Sequence, residues 1–247
     1  MKVSELPREL LLMHGCGNDA VFDVNPEEAE RLHSLSEYEI KLWQSGIGLV
    51  AGVDEVGRGP IAGPVVAAAV ILPQGCLLPG VNDSKKLSAR KRYALEPLIK
   101  QAAVAWAVGA VGVYDIDRYN ILQATKMAMR KALRLLPVAA EHLLIDAVRL
   151  DGCDLPQTPI IKGDAKSISI GAASILAKCH RDRMMAIYDE LYPGYDLGKH
   201  AGYPTPAHKQ AVWAIGQSPI HRKSFVLKPP KSRPQQKQTE AKEQDNI

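Results

Sequence analysis

The segment Leu49-Val50-Ala51-Gly52-Val53 is apolar and stops on two adjacent carboxylates, Asp54 and Glu55. A glycine-bracketed arginine, Gly57-Arg58-Gly59, follows at once. Such a run is a strand that leaves the apolar interior at its last residues. Adjacent acids repel, and crowding them is costly unless a cation neutralises them. Hard oxygen ligands of this kind suit Mg²⁺ or Mn²⁺. Arg58 suits a phosphate, and the flanking glycines let backbone approach a substrate closely. Together these residues fit a metal-assisted site for a phosphorylated substrate. A strand ending in a charged turn accounts for them equally well. A dinucleotide fingerprint does not: Gly57-x-Gly59-x-x-x-Gly63 is one residue too long and contains Pro60.

Strands are expected over 48–53, 64–72, 102–113, 143–146 and 159–161, with the first two joined by a Gly57–Gly63 turn. The longest apolar run, Val65 to Leu72, has eight residues, which is strand length and far short of a membrane span. Helical spacing appears over 117–136 at Ile121, Leu122, Ala124, Met127, Ala128 and Leu135. It recurs over 167–191, with Ile168, Ala172, Ile175, Cys179 and Ile187 on one stripe. This order predicts an α/β fold with a mixed central sheet flanked by helices. Residues 1–47, with short helices near 27–35 and 37–43, read as an N-terminal extension of unknown role. Residues 228–247 lack aromatics and are expected to be a disordered basic tail.

Two further acids repeat the theme. Asp146 follows the apolar Leu143-Leu144-Ile145, and Asp164 stands just before the long helix. Each has a structural reading, Asp146 as a strand terminator and Asp164 as a helix cap. Strand ends of an α/β sheet meet at one edge, where ligands bind, and four acids converging there could hold two divalent ions. One geometric condition applies. Successive strand residues face opposite ways, so Asp54 and Glu55 share a site only if the strand ends or bulges there. Phosphate contacts are expected from Ser84 and Lys85, and from Lys162, Lys166, Lys178 and Arg181 around the Asp164 helix, while Lys86 and Arg183 read as solvated cations. Tyr203, on a glycine–proline turn beside basic residues, could stack on a sugar or base, and a core-facing loop tyrosine accounts for it equally well.

Four basic and nine acidic residues give 1–47 a net charge of −5, and five basic and three acidic give 228–247 a net +2. Of the chain's total of +4, that leaves +7 on residues 48–227, where the motifs lie. A nucleic-acid-binding surface needs this sign, which a solvated face could also carry. The four cysteines, Cys16, Cys76, Cys153 and Cys179, form no C-x-x-C pair and fit reduced thiols in a cytoplasmic protein. No signal peptide is read at Leu10-Leu11-Leu12-Met13.

Taken together, the chain resembles the bacterial ribonuclease HII family over about residues 48–227. The matching segments are Ala51 to Pro60, Asn82 to Leu87, Tyr119 to Lys126, Leu144 to Asp146, Lys162 to Ser167, Ala172 to Arg183, Gly202 to His208 and Ser218 to Phe225. The resemblance implies a ribonuclease H-like fold and a divalent metal cofactor, Mn²⁺ or Mg²⁺. It implies endonucleolytic cleavage of RNA in RNA–DNA hybrids and 5′ of single ribonucleotides embedded in duplex DNA, leaving 3′-hydroxyl and 5′-phosphate ends. The family's metal-site acids fall on Asp54, Glu55, Asp146 and Asp164. Its 2′-hydroxyl-sensing turn falls on Gly57, Arg58 and Gly59, and its junction-stacking tyrosine on Tyr203. Ala201 departs from the lysine the family often has there. A monomer without an obligate protein partner or membrane association is expected. The alternatives are a ribonuclease HIII-like hybrid nuclease, against which the Gly-Arg-Gly turn speaks, and a non-catalytic hybrid-binding protein, against which the full set of acids speaks.

Overall fold

The computed structural model describes residues 24–228. Expectations for the Leu10–Met13 segment, Cys16 and nearly all of the basic tail lie outside the described residues. Five strands, β1 (Val50–Val56), β2 (Val65–Ile71), β3 (Ala105–Val111), β4 (His142–Asp146) and β5 (Gln157–Ile160), form one sheet in the order β3-β2-β1-β4-β5. β1, β2 and β3 run antiparallel in turn, while β4 and β5 are parallel to β1 and to each other. The helices are α1 (Pro26–Leu35), α2 (Glu37–Gln44), α3 (Ala89–Ala102), α4 (Val113–Leu135), α5 (Ile168–Leu191), α6 (Leu197–His200) and α7 (Pro206–Ile215).

The sheet is covered on both faces, which is why β2 reads as an unbroken apolar run: every residue from Val65 to Ile71 is fully buried. On one face Ala67 and Ala69 meet Ala124, Ala128, Met129 and Ala132 of α4. On the other, Val66, Ala68 and Val70 meet Ala172, Ile175 and Leu176 of α5, with Leu95 and Ile99 of α3 alongside. Small residues let helix and sheet approach closely. A Cβ on Gly109 would come to 2.4 Å from the Ala128 carbonyl oxygen, and one on Gly52 to 2.1 Å from the Ser169 carbonyl carbon.

Several sequence expectations shift. α3 and α7 are not anticipated by apolar spacing, yet each opens on a capping hydroxyl: Ser88 accepts from the Lys91 N–H and Thr205 from the His208 N–H. In α4, Asn120 has φ 68° and ψ 165°, and its side chain accepts from the Leu122 and Gln123 N–H groups, restarting the helix. The restart turns Leu122 outward and brings Thr125, Met129 and Ala132 inward. On α5 the stripe of Ile168, Ala172, Ile175 and Cys179 is buried as expected, but Ile187 is exposed. The last turns of α5 run beyond the sheet and present Met185 and Tyr188 to Ile61, Tyr195 and Leu197 instead.

α1 and α2 pack on this body. Leu32 and Leu35 join the α5-side core. Glu39 of α2 is wholly buried, and its Oε1 accepts from Ser167 Oγ at 2.5 Å and from the Ser169 N–H at 3.0 Å. Ser167 caps α5 in turn, accepting from the Ile170 N–H. An acid at this helix start meets the positive end of the helix dipole. Glu39→Ala leaves the Ser169 N–H and the Ser167 hydroxyl short of a buried acceptor and should cost about 2–4 kcal/mol of stability. Glu39→Gln keeps an acceptor oxygen and should cost much less. Urea denaturation of both variants checks this, and equal losses would assign the effect to packing instead.

Candidate metal and nucleic-acid site

The pairing of β1 with β4 places the first acids. Val53 is in register with Ile145, so one step further Asp54 and Asp146 stand level on adjacent parallel strands, facing the same way. β1 neither ends nor bulges at Asp54–Glu55, because Asp54 pairs with Ala68, Glu55 with Ala67 and Val56 with Val66 of β2. It is β4 that ends, at Asp146. Glu55, on the opposite face, reaches the same place around that open strand end. One carboxylate oxygen from each of Asp54, Glu55 and Asp146 lies within 4.8 Å of the others. Asp164 is outside that group. It occupies a 3-10 turn, Gly163–Ala165, whose Gly163 N–H donates to Asp146 Oδ1 at 2.6 Å. Asp164 does not cap α5, since Ser167 does.

The acids are crowded and dry. Burial raises Asp54 well above the usual carboxylate range, and the charges of Glu55 and Asp146 push it further. Burial also raises Glu55, outweighing the nearby Arg58, whose Nη1 lies 3.3 Å from Glu55 Oε1. Glu55 Oε2 is buried without a hydrogen-bond partner. Asp164 is raised by burial and then by Asp83, a fifth acid the sequence reading did not single out. Lys85 is the counter-charge. Its exposed ammonium lies 3.7 Å from Asp164 Oδ2. Desolvation lowers it, but the carboxylates of Asp164, Asp54, Asp83 and Asp146 outweigh that and hold it above its ordinary value. Clustered carboxylates, an orphaned buried oxygen and raised proton affinities are what a hard divalent cation relieves, so the residues present fit Mg²⁺ or Mn²⁺.

The expected phosphate contacts divide. Lys162 and Lys166 flank the Asp164 turn and are exposed. Ser84 is instead buried behind the acids, its hydroxyl 2.8 Å from that of Ser174, whose nearby hydroxyl favours the ionised form of Asp54 against burial. Lys178 pairs with Asp182, and Arg183 makes two bonds to Glu96. Arg181 is wholly buried, so it faces no ligand.

The Gly57–Gly59 turn follows Glu55, and Tyr203 stands against it. A Cβ on Gly59 would lie 3.4 Å from Tyr203 Cε1, so the ring and the bare glycine are in contact distance. The exposed tyrosine is anchored through its backbone. Its carbonyl can only accept, so His208 Nδ1 carries the proton of their 2.9 Å bond. His208 Nε2 then accepts from His221 Nε2, 3.1 Å away, and His221 Nδ1 accepts from the Ser218 N–H. His208 and His221 are buried, and burial lowers both, His221 to about 4.

With this geometry in view, the comparisons with known proteins agree. Residues 51–228 match the family model described as Ribonuclease HII. The chain is 54% identical over 203 residues to the ribonuclease HII of Myxococcus xanthus, covering 82% of this chain and 69% of that protein. It is 49% identical over 198 residues to that of Moorella thermoacetica, covering 80% and 96%. The ribonuclease H2 structure from Pyrococcus horikoshii aligns with a TM-score of 0.62 at 26% identity, over 72% of this chain and 93% of that one. The mixed sheet with helices on both faces is thus a ribonuclease H-like fold. No helix among the described residues is long and apolar enough to cross a membrane.

Raised carboxyl pKa values set a stability prediction. For Asp54, Glu55 and Asp164 the folded chain holds protons more tightly than the unfolded chain. Their stabilising contribution is complete below the unfolded values and is lost as pH rises through the folded ones. The metal-free protein should therefore lose melting temperature through this site as pH rises from the unfolded carboxylate range, about 4, through the raised folded values. Mg²⁺ or Mn²⁺ should raise the melting temperature more at the upper pH than at the lower. Asp54→Asn should stabilise the metal-free protein at the upper pH and shrink the metal-dependent gain. Scanning calorimetry with and without metal checks all three.

Proposed function

This chain belongs to the ribonuclease HII family, whose members are metal-dependent ribonuclease H endonucleases, and from that premise we propose that it reads single ribonucleotides. It cuts the RNA strand of RNA–DNA hybrids and the phosphodiester 5′ of a ribonucleotide embedded in duplex DNA, leaving 3′-hydroxyl and 5′-phosphate ends. The observation that carries this reading is the adjacency of three elements: the acid cluster, the Gly57–Gly59 turn that begins two residues beyond Glu55, and the Tyr203 ring in contact distance of Gly59. A turn with accessible backbone and an exposed aromatic, set beside a metal site, can test for a 2′-hydroxyl and stack on the neighbouring sugar in one approach. The 2′-hydroxyl is the group by which a protein tells RNA from DNA.

Asp54, Glu55 and Asp146 would hold a divalent ion, with Asp164 completing the set from the other side of Asp146. Bound there, the ion supplies a Lewis acid for the phosphodiester and lowers the pKa of water. The chain's own groups do the rest. Ser174, itself bonded to Ser84, favours the ionised form of Asp54, and the Gly163 N–H orients the Asp146 carboxylate. Lys85, Lys162 and Lys166 offer exposed cations to the nucleic-acid backbone around the acids. A ribonuclease HIII-like preference for long hybrids is the competing reading, and mapping cleavage on a duplex with one embedded ribonucleotide tests between them. Incision 5′ of that nucleotide is expected; cleavage confined to long hybrids would favour the competitor.

Two sets of variants probe the assignment. Asp54→Asn and Asp146→Asn should remove measurable cleavage while leaving the circular-dichroism spectrum unchanged, and Asp164→Asn should lower turnover. An Asp164→Asn protein that lost only stability would mark that acid as structural. A stacked aromatic contributes ~1–3 kcal/mol, so Tyr203→Ala should lower kcat/KM about ten- to a hundredfold, more on the single-ribonucleotide duplex than on a long hybrid. Tyr203→Phe should be far milder, because stacking uses the ring. Equal losses on the two substrates would remove Tyr203 from junction reading.

A further inference from the structure

Two arginines lie fully buried beneath the Gly57–Gly59 turn, and neither forms an ion pair with a carboxylate among the described residues. Every hydrogen bond they make goes to a main-chain carbonyl. Arg222 Nη2 donates to Gly57 O at 2.6 Å, Nη1 to Arg58 O at 3.0 Å, and Nε and Nη2 to Gly63 O at 3.0 and 2.9 Å. Arg181, on α5, donates from Nε to Pro64 O at 2.9 Å, from Nη2 to Ala62 O at 3.1 Å and from Nη1 to Ala201 O at 2.8 Å. Burial lowers Arg181 to about 10 and Arg222 to about 9, so both remain charged at neutral pH. Burying two cations without a counter-ion is expensive. A chain that needed only a compact loop could fill this space with apolar residues.

The geometry says what the cost secures. In a trans peptide the carbonyl and the following N–H point opposite ways. With the Gly57 and Arg58 carbonyls drawn inward to Arg222, the Arg58 and Gly59 N–H groups point away from it. Arg58 and Gly59 are exposed, and neither N–H donates to an acceptor among the described residues. Two backbone donors are therefore presented beside Glu55 and Tyr203, over a buried positive charge that favours oxygen lone pairs above them. Arg181 dictates a glycine here as well: Gly57 has φ +94°, and a Cβ on it would lie 2.3 Å from Arg181 Nε. Through Ala201 O the same guanidinium ties down the segment that leads into Tyr203. Ser174, whose hydroxyl favours the ionised form of Asp54, sits two helical turns before Arg181 on α5, so the acids and the turn share one rigid support.

We propose that Arg181 and Arg222 are positioning residues for ribonucleotide recognition, holding the Gly57–Gly59 amides toward the nucleic acid and locking the Tyr203 segment in register with them. This rests on the reading of that turn as the 2′-hydroxyl sensor. A lysine keeps the charge but cannot reproduce a planar fork of donors. The test compares wild type with Arg222→Lys and Arg181→Lys, using a duplex with one ribonucleotide and the same duplex in all-DNA form, with Ca²⁺ replacing the catalytic metal. The wild type should prefer the ribonucleotide duplex. The folded lysine variants should lose about tenfold of that preference, the worth of one well-placed hydrogen bond, while all-DNA affinity changes by less than about twofold. A folded variant that retains the full preference overturns the proposal. A wild type with no preference overturns the sensor reading itself.

If neither variant folds, wild-type NMR decides. The Arg181 and Arg222 Nε–H protons should resist solvent exchange, and the Arg58 and Gly59 amide signals should shift more with the ribonucleotide duplex than with all-DNA. Rapid Nε–H exchange, or equal amide shifts, would overturn the proposal.

Discussion

The contact on which the site depends is the seating of the first turn of α5 on β1. No side chain separates them at Gly52, where even a methyl group would meet the Ser169 backbone. This approach brings the helix start, its Ser167 cap and the Gly163–Ala165 turn to the ends of β1 and β4. Gly163 then bonds Asp146, and Asp164 arrives beside it. Further along the same helix come Ser174 behind Asp54 and Arg181 beneath the glycine turn. One helix thus sets the spacing between the acids and the Gly57–Gly59 turn. Glu39 also fixes the helix start, through Ser167 and Ser169.

Like charges oppose this assembly. Asp54, Glu55 and Asp146 are held together by a sheet whose stability comes from elsewhere, chiefly the fully apolar β2 and the alanine-rich faces of α4 and α5. The repulsion is stored, and a cation placed among the acids would relieve it. Lys85 offsets part of it from the solvent side.

Much of this was legible in the sequence because it is local. Apolar runs ending on acids marked β1 and β4, and helical spacing marked α5. Less local facts were not legible. Asp54 and Glu55 share a site because β4 stops one residue after Ile145, a property of the neighbouring strand and not of β1. Ser84 resembled a phosphate ligand in sequence, yet tertiary packing turned its hydroxyl toward Ser174. Arg181 resembled a surface cation on a basic helix, but its position on α5 points it into carbonyls from a loop more than a hundred residues away. α3 and α7 carry their clearest signal in single capping residues, Ser88 and Thr205, and not in periodicity. Asp83 was hidden among turn-forming residues, and only the fold reveals that it lies beside Asp164.

The histidine chain behind Tyr203 has a consequence of its own. Every bond from Ser218 through His221 and His208 to the Tyr203 carbonyl runs in one direction, and each ring is committed to a single neutral tautomer. A proton added to His208 Nε2 would set two N–H groups face to face across 3.1 Å. The residues usually employed as acid–base sensors here act as rigid spacers, and their buried, downshifted rings keep the wiring intact through the physiological range. The tyrosine loop is thereby held in one hydrogen-bonded arrangement whatever the protonation of the acids beside it.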